Sequence, residues 1–308
     1  MTAIFLKTLP FFAILGLGYF AARRSFFGEQ ATAHLTKFVF YFALSAMIFR
    51  FTASLSLQDV FHGPSVLAYL TATMAIYLLV TAVAYFRGVG MEEMVIEAQT
   101  ASIGNVGFLG IPMLVLLMGS DAIGPVMIVL STDMIVFGSL LVILISAKRD
   151  GRASVVVLRS VGLGLAKNPM VMAIVAGLVW AGGGVPIPAP LDEFLSLLGA
   201  AATPGALFAI GASLASKSAE RKSIAIWLST AKLFLHPLAV AFASLVLFDV
   251  PTFTASVMIA AAAMPTAGNV YILAQHYGIA PVRVSSTILV STLVSVVSLT
   301  LVIAIVTG

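Results

Sequence analysis

The sequence of 308 residues contains no cysteine and little charge: only 9% of its residues are Asp, Glu, Lys or Arg, whereas 61% are hydrophobic. Because a soluble globular protein carries about 25% charged residues, this composition indicates an integral membrane protein. Without cysteine, disulfides and thiolate metal sites are excluded. The four histidines (His34, His62, His236 and His276) form no His-x-x-x-His pair, which argues against a zinc site.

Ten apolar runs are long enough to cross a membrane, since a span needs roughly 20 apolar residues. The predicted spans are 3–22, 34–53, 64–86, 94–118, 123–146, 167–185, 192–215, 223–248, 252–276 and 282–306. The first run has little basic sequence ahead of it and no small-x-small cleavage site. We therefore expect a membrane span there and no cleavable signal peptide.

The distribution of lysine and arginine predicts the orientation, because cytoplasmic loops of membrane proteins are enriched in these residues. Most basic residues lie in or beside the loops that follow odd-numbered spans: Arg23, Arg24, Lys37, Arg87, Lys148, Arg149, Arg152, Arg159, Lys167, Lys217, Arg221, Lys222 and Arg283. The opposite side holds Lys7 and Arg50. We expect a multi-pass protein of the plasma (inner) membrane with both termini on the non-cytoplasmic side.

Short motifs recur at nearly constant spacing, which predicts an internal duplication. Four motifs have a counterpart about 160 residues later: Ala13-Ile14, Ala53-Ser54-Leu55, Gly104-Asn105-Val106 and Ser131-Thr132. The third returns as Gly268-Asn269-Val270. Each repeat holds five spans, and because five is an odd number the second copy enters the membrane upside down.

The fold expected from this pattern is an all-α integral membrane protein with ten transmembrane helices in two inverted five-helix repeats. The first repeat is residues 1–146, a cytoplasmic linker is residues 147–166, and the second repeat is residues 167–308. Spans 4 and 9 are the equivalent fourth helices of the two repeats, and each carries one Gly-Asn-Val motif.

Glycine and proline beside these motifs predict that both helices are interrupted. Gly104 and Gly268 permit unusual backbone angles, and Pro112 and Pro265 lack an N–H donor. Hydrocarbon offers no hydrogen-bond partners, so a break in a span must be buried in protein or line a watery cavity. Matched breaks in two halves of a membrane protein point to the binding site of a carrier.

An interrupted helix exposes N–H groups whose aligned dipoles attract an anion, and asparagine amides can bind a carboxylate. We therefore predict a substrate site formed by Ser102, Gly104, Asn105, Pro112, Pro265, Thr266, Gly268 and Asn269. The alternative is that these small residues and prolines merely permit close helix packing.

Three ionisable residues lie deep in predicted spans, where such residues are costly and usually functional. Asp133, Lys232 and His236 are candidate coupling residues for H⁺ or Na⁺. Asp133 breaks the internal symmetry, because its counterpart is Leu293. The alternatives are a structural hydrogen bond for Asp133, simple packing for His236, and snorkelling of Lys232 to the cytoplasmic face, which we favour for that lysine.

The stretches Ser102–Pro112 and Met264–Gly278 resemble the fourth and ninth spans of the auxin efflux carrier family. The resemblance covers essentially the whole chain. It implies a ten-helix fold similar to that of bile-acid symporters and sodium/proton antiporters, with a scaffold domain and a transport domain. By residue match, the family's crossover prolines and asparagine are Pro112, Pro265 and Asn105. Span 2 departs from the family pattern, since Ser45 stands where a proline is common.

The resemblance implies small organic anions as substrates: auxin in plants, and dicarboxylates such as malonate or malate in bacteria. The short loop between spans 5 and 6 favours a compact bacterial-type carrier. We therefore predict a secondary transporter that moves a small mono- or dicarboxylate by alternating access, with the site where helices 4 and 9 cross.

Alternatives from other classes are a sodium-coupled carrier similar to bile-acid symporters, an anion channel and a membrane-embedded enzyme. An enzyme would need a catalytic constellation, which Asp133 alone does not supply. We expect no cofactor and no nucleic-acid partner. The expected partners are the substrate anion and the lipid bilayer, with a homodimer as an open alternative to a monomer.

Overall fold

The computed structural model describes residues 2–55, 62–150, 155–215 and 222–307, and helices dominate these residues. In chain order the helices are α1 (Thr2–Arg23), α2 (Glu29–Ala53), α3 (Gly63–Phe86), α4 (Met91–Ser102), α5 (Val106–Met118), α6 (Ser120–Arg149), α7 (Val155–Lys167), α8 (Pro169–Gly182), α9 (Ala189–Leu214), α10 (Lys222–Leu247), α11 (Thr252–Ala262), α12 (Gly268–Tyr277) and α13 (Pro281–Thr307). The described residues contain a single isolated β-bridge and no strand. The expectation of an all-α protein is confirmed.

Within the described part of the chain, six helices are long and apolar enough to cross a membrane, namely α2, α3, α6, α9, α10 and α13. Helices α7 and α8 add a seventh span if the two form one bent segment. Shorter apolar helices, Leu9–Arg23, Val106–Met118 and Thr252–Ala262, lie in the regions of the predicted spans 1, 4 and 9. The protein is therefore a multi-pass membrane protein.

The bend between α7 and α8 has a local chemical cause. Asn168 adopts an extended backbone, and its side-chain oxygen accepts hydrogen bonds from the N–H groups of Met170 and Val171. Pro169 occupies the first turn of α8, where its missing N–H costs nothing. The two helices meet at 76°. Part of the segment predicted as a loop, residues 147–166, is thus the helix α7.

The chain divides into two compact units, and each unit combines segments from both predicted repeats. Unit 1 comprises Met1–His62, Gly107–Met127 and Leu165–Ser216. Unit 2 comprises Gly63–Val106, Ile128–Gly164 and Lys217–Gly308. The compact units therefore do not coincide with the predicted repeats, because each unit packs together helices from both halves of the chain.

Unit 1 is built on two close helix contacts, α1 against α9 and α2 against α8. Glycine makes both contacts possible. A Cβ atom on Gly211 would collide with the carbonyl of Leu15, and one on Gly177 would collide with the hydroxyl of Thr52. Small residues at such positions allow membrane helices to approach closely and gain van der Waals contact.

Unit 2 shows a contact pattern that repeats between the two halves of the chain. Helix α3 packs against α4, and α10 packs against α11. Likewise α4 packs against α6, and α11 packs against α13. The predicted duplication makes α3 equivalent to α10, α4 to α11 and α6 to α13. Each contact in the first half of the chain therefore has its counterpart in the second half.

Candidate functional site

The two predicted interruptions meet each other inside unit 2. Helix α4 ends at Ser102 and continues into the extended residue Ile103. Helix α11 ends at Ala262 and reaches the extended residue Ala267 after a turn at Ala263. These extended residues pair in antiparallel fashion through a bridge between Gly104 and Thr266. The N–H of Asn105 donates to the carbonyl of Pro265 at 2.7 Å. The backbone groups freed by one break are thus partly satisfied by the other, as burial requires.

At the end of each half-helix, a side chain donates to one of the carbonyl groups. The last carbonyls of a helix have no intrahelical donor and carry the negative end of its dipole. The hydroxyl of Thr266 donates to the carbonyl of Thr100 at 2.9 Å, near the end of α4. The ammonium of Lys232 donates to the carbonyl of Ala262, the last residue of α11. One half-helix therefore ends on a hydroxyl group and the other on a cation.

Lys232 is fully buried, so the interpretation that it snorkels to the cytoplasmic face is wrong. It lies in a π-helical turn of α10, Ala231–Leu235, a wide turn that often occurs at functional sites. The carbonyl at the end of α11 provides an inward partner for the ammonium, whereas snorkelling would leave that carbonyl without this donor. Gly104 contributes space, because a Cβ there would lie 3.2 Å from the Lys232 Nζ.

A chain of side-chain hydrogen bonds links Lys232 to other polar groups of unit 2. The Lys232 Nζ lies 3.1 Å from His236 Nδ1. With Lys232 protonated, its ammonium can only donate, so Nδ1 accepts and the proton of a neutral His236 is on Nε2. That Nε2–H donates to Thr73 Oγ1 at 3.0 Å. His236 therefore does more than pack.

The same chain of contacts reaches Asp133. Tyr69 precedes Thr73 by one helical turn on α3, so the two side chains are on the same face of that helix. The Tyr69 hydroxyl donates to Asp133 Oδ1 at 2.8 Å, so Asp133 makes the hydrogen bond to a neighbouring helix that we considered. Its other oxygen, Oδ2, is buried without a hydrogen-bond partner in the described part of the chain. Asp133 also interacts electrostatically with Lys232.

Sequence reasoning missed Tyr69 and Thr73, which form hydrogen bonds with Asp133 and His236, respectively. Both side chains are completely buried, and Tyr77 on the same face of α3 is 3% exposed. Polar residues at i, i+4 and i+8 of an otherwise apolar span are the signal that could have found them.

The predicted substrate residues fall into different environments. Ser102 and Thr266 are buried, and the Ser102 hydroxyl has no hydrogen-bond partner within the described residues. Asn105 is 7% exposed. Gly268 and Asn269 are exposed at the first turn of α12, which no side chain caps. Seven of the predicted residues belong to unit 2, whereas Pro112 belongs to unit 1.

Ion pairs tie the start of α4 to other helices of unit 2. The buried carboxylate of Glu97 accepts from Arg87 at 2.7 Å and from Arg283 at 2.5 Å. Arg149 pairs with Glu92 and also donates to the carbonyl of Tyr277, the last residue of α12. Half-helices on both sides of the crossing are thus anchored by charge.

Comparison with known proteins places the chain among membrane transporters. A family described as membrane transport protein matches residues 3–303. The chain is 28% identical to a protein of Rhizobium meliloti (strain 1021) named "Putative malonate transporter", over 95% of this chain and 92% of that protein. It is 26% identical to a protein of Escherichia coli (strain K12) named "Uncharacterized transporter YfdV", over 88% of this chain and 87% of that protein.

Proposed function

Because the chain belongs to the membrane transport protein family, that of the auxin efflux carriers, we propose that it is a secondary transporter of a small organic anion. The proposed substrate is a mono- or dicarboxylate, with malonate and malate as the first compounds to test. The name of the Rhizobium meliloti relative supports malonate. Transport rather than enzyme catalysis is the activity that the family defines.

The observation that carries the proposal is the crossing of two interrupted helices at Gly104 and Thr266. Paired breaks in matching positions of two halves mark the binding sites of many transporters. Asn105 and Asn269 would hold the substrate carboxylate with their amide groups. The uncapped N–H groups at the start of α12 would add donors and a favourable dipole.

The proposal includes ten spans in two inverted repeats, placed in the plasma membrane with both termini on the non-cytoplasmic side. Pairs of α4/α5 and α11/α12 would form the interrupted spans 4 and 9. The contacts that recur between the two halves support the duplication. The division into two compact units supports alternating access, which needs bodies that can move as wholes.

Among the coupling ions, the contacts favour H⁺ over Na⁺. A Na⁺ ion at the interrupted helix would need carbonyl oxygens at a half-helix end, and Lys232 already donates to the carbonyl of Ala262. Hydrogen bonds join Lys232 to His236 and His236 to Thr73, and another joins Tyr69, one turn from Thr73 on α3, to Asp133. These neighbouring groups support the passage of a proton. The proposed carrier is therefore a proton-coupled symporter, with the sodium-coupled carrier as the alternative.

The test is uptake of labelled malonate and malate into proteoliposomes, with the pH gradient, Na⁺ and membrane voltage varied separately. We expect Asn105→Ala and Asn269→Ala to lose transport while remaining folded. Asn168→Ser is the matched control, because serine also caps a helix start and Asn168 belongs to unit 1, whereas the proposed amide pair belongs to unit 2. Full activity in both alanine variants would refute the proposed site.

A further inference from the structure

Unit 1 contains a cavity that is separate from the polar contacts of unit 2. Its lining includes none of the residues Lys232, His236, Thr73, Tyr69 and Asp133. It lies among α2, α5 and α9 and has a volume of about 290 Å³. Small-molecule sites span roughly 300–1,000 Å³, so this cavity is at the lower end and suits a molecule of a few carbon atoms. Its lining is mostly apolar, with Phe51 and Leu116 among the side chains.

The polar groups of the cavity are all suited to binding an anion. The polar residues that line the cavity are Arg50, Ser196 and Thr203. No carboxylate is among the lining residues. A few polar groups in an otherwise apolar pocket fix the orientation of a ligand, and here they can all donate hydrogen bonds.

Arg50 is held in a geometry that leaves part of its guanidinium available. Its Nε donates to Asp192 Oδ1 at 2.6 Å, and its Nη2 donates to Asp192 Oδ2 at 3.1 Å. Among the described residues, Nη1 has no hydrogen-bond partner. The guanidinium is a planar fork that binds carboxylates through two parallel hydrogen bonds. With one edge fixed by Asp192, the Nη1/Nη2 edge can receive a second carboxylate.

A purely structural role explains Arg50 poorly. The side chains of Arg50 and Asp192 are 36% and 38% exposed, and ion pairs with that exposure contribute little stability. The predicted topology also places Arg50 on the non-cytoplasmic side, which the positive-inside rule depletes of basic residues. The predicted place of Arg50 on the non-cytoplasmic side, together with its place in the lining of a cavity, therefore favours a role in binding.

We propose that this cavity is a carboxylate-binding site in which the Arg50 guanidinium holds the anion and the hydroxyls of Ser196 and Thr203 donate to it. This inference rests on the proposed transport of small organic anions and adds a site in unit 1 for the same class of substrate. Pro112, which lines the cavity, is also one of the predicted substrate residues. The cavity would thus take up the anion on its route through the carrier.

The test compares variants of the two partners in the ion pair, because binding and structural roles predict opposite results. Arg50→Gln removes the charge, and we expect the KM for malonate to rise about 10- to 100-fold, the equivalent of one lost charge-assisted interaction. Arg50→Lys keeps the charge without the fork, so its KM should lie between those of Arg50→Gln and the native protein. Asp192→Asn removes the competing carboxylate and should lower the KM.

Binding is measured independently of transport through the fluorescence of Trp180. This residue packs at 6.0 Å, edge to face, against Phe49, the neighbour of Arg50. In a Trp227→Phe background, which leaves Trp180 as the single tryptophan, malonate should change the emission. Arg50→Gln should shift the titration midpoint by the same factor as the KM, whereas the exposed-arginine control Arg24→Gln should not.

The outcomes separate this inference from the proposed function. If the protein transports carboxylates and Arg50→Gln leaves both the KM and the malonate titration unchanged, the cavity site is refuted and the transport function stands. If the protein transports no carboxylate but malonate titrates Trp180 in an Arg50-dependent manner, the cavity site stands and the transport function fails. Equal losses of melting temperature in Arg50→Gln and Asp192→Asn, without a change in binding, would also refute the site.

Discussion

Replacing Lys232 with methionine is the most direct test of the charge at the helix break. Methionine keeps most of the length and apolar volume of lysine but removes the ammonium. The carbonyl of Ala262 then loses this donor, which costs about 1–3 kcal/mol for a buried group. Asp133 also loses a nearby positive charge, although no salt bridge joins the two side chains among the described residues. We therefore expect a loss of about 3 kcal/mol, the upper end of that range.

The assay is thermal unfolding of the purified protein, for which that loss corresponds to a decrease of roughly 5–10 °C in melting temperature. Lys222→Met is the matched control, because Lys222 is on the same helix but exposed, and it should change the melting temperature little. In a double-mutant cycle, Lys232→Met with Asp133→Asn should be less destabilised than the sum of the two single variants. Strict additivity, or a loss below about 1 kcal/mol in Lys232→Met, would refute the reasoning.

Two further results are expected from the same group of residues. Asp133→Asn should abolish accumulation of substrate driven by a pH gradient, because the carboxylate that accepts from Tyr69 is lost; continued pH-driven uptake in that variant would exclude coupling through Asp133. Gly104→Ala should lower the melting temperature, because its Cβ would press on Lys232 at 3.2 Å. Gly268→Ala is the steric control, since no heavy atom lies within 4 Å of its added Cβ, and equal melting temperatures in the two variants would contradict the crowding argument.

The interruptions of spans 4 and 9 could be predicted from the sequence because their cause is local. Gly104 lies in the first break and relaxes the backbone, and Pro265 lies in the second and cannot donate a backbone hydrogen bond. Pro112, which we also expected at the first break, lies inside α5. The pairing of the two breaks through Asn105 and Pro265 was not predictable in its details. It depends on hydrogen bonds between segments about 160 residues apart, and local sequence does not determine such long-range register.

The position of the Lys232 ammonium group is a point on which sequence reasoning failed. The sequence alone favours an ammonium in water for a lysine some ten residues into a span, because its long side chain can reach the membrane surface. The structure instead offers it the last carbonyl of α11 and the ring of His236. Nothing in the sequence near Lys232 reveals that a second helix ends beside it.

Composition and periodicity alone determined that this protein is helical and embedded in a membrane, because only apolar helices with internally satisfied backbones are stable in lipid. The repeated Gly-Asn-Val motif and the residues beside it placed the two breaks. The tertiary structure alone decided which polar groups meet: the chain of contacts from Lys232 to Asp133 and the cavity of Arg50 both join side chains from separate helices. Buried polar groups are stable only with partners, and those partners are supplied by packing.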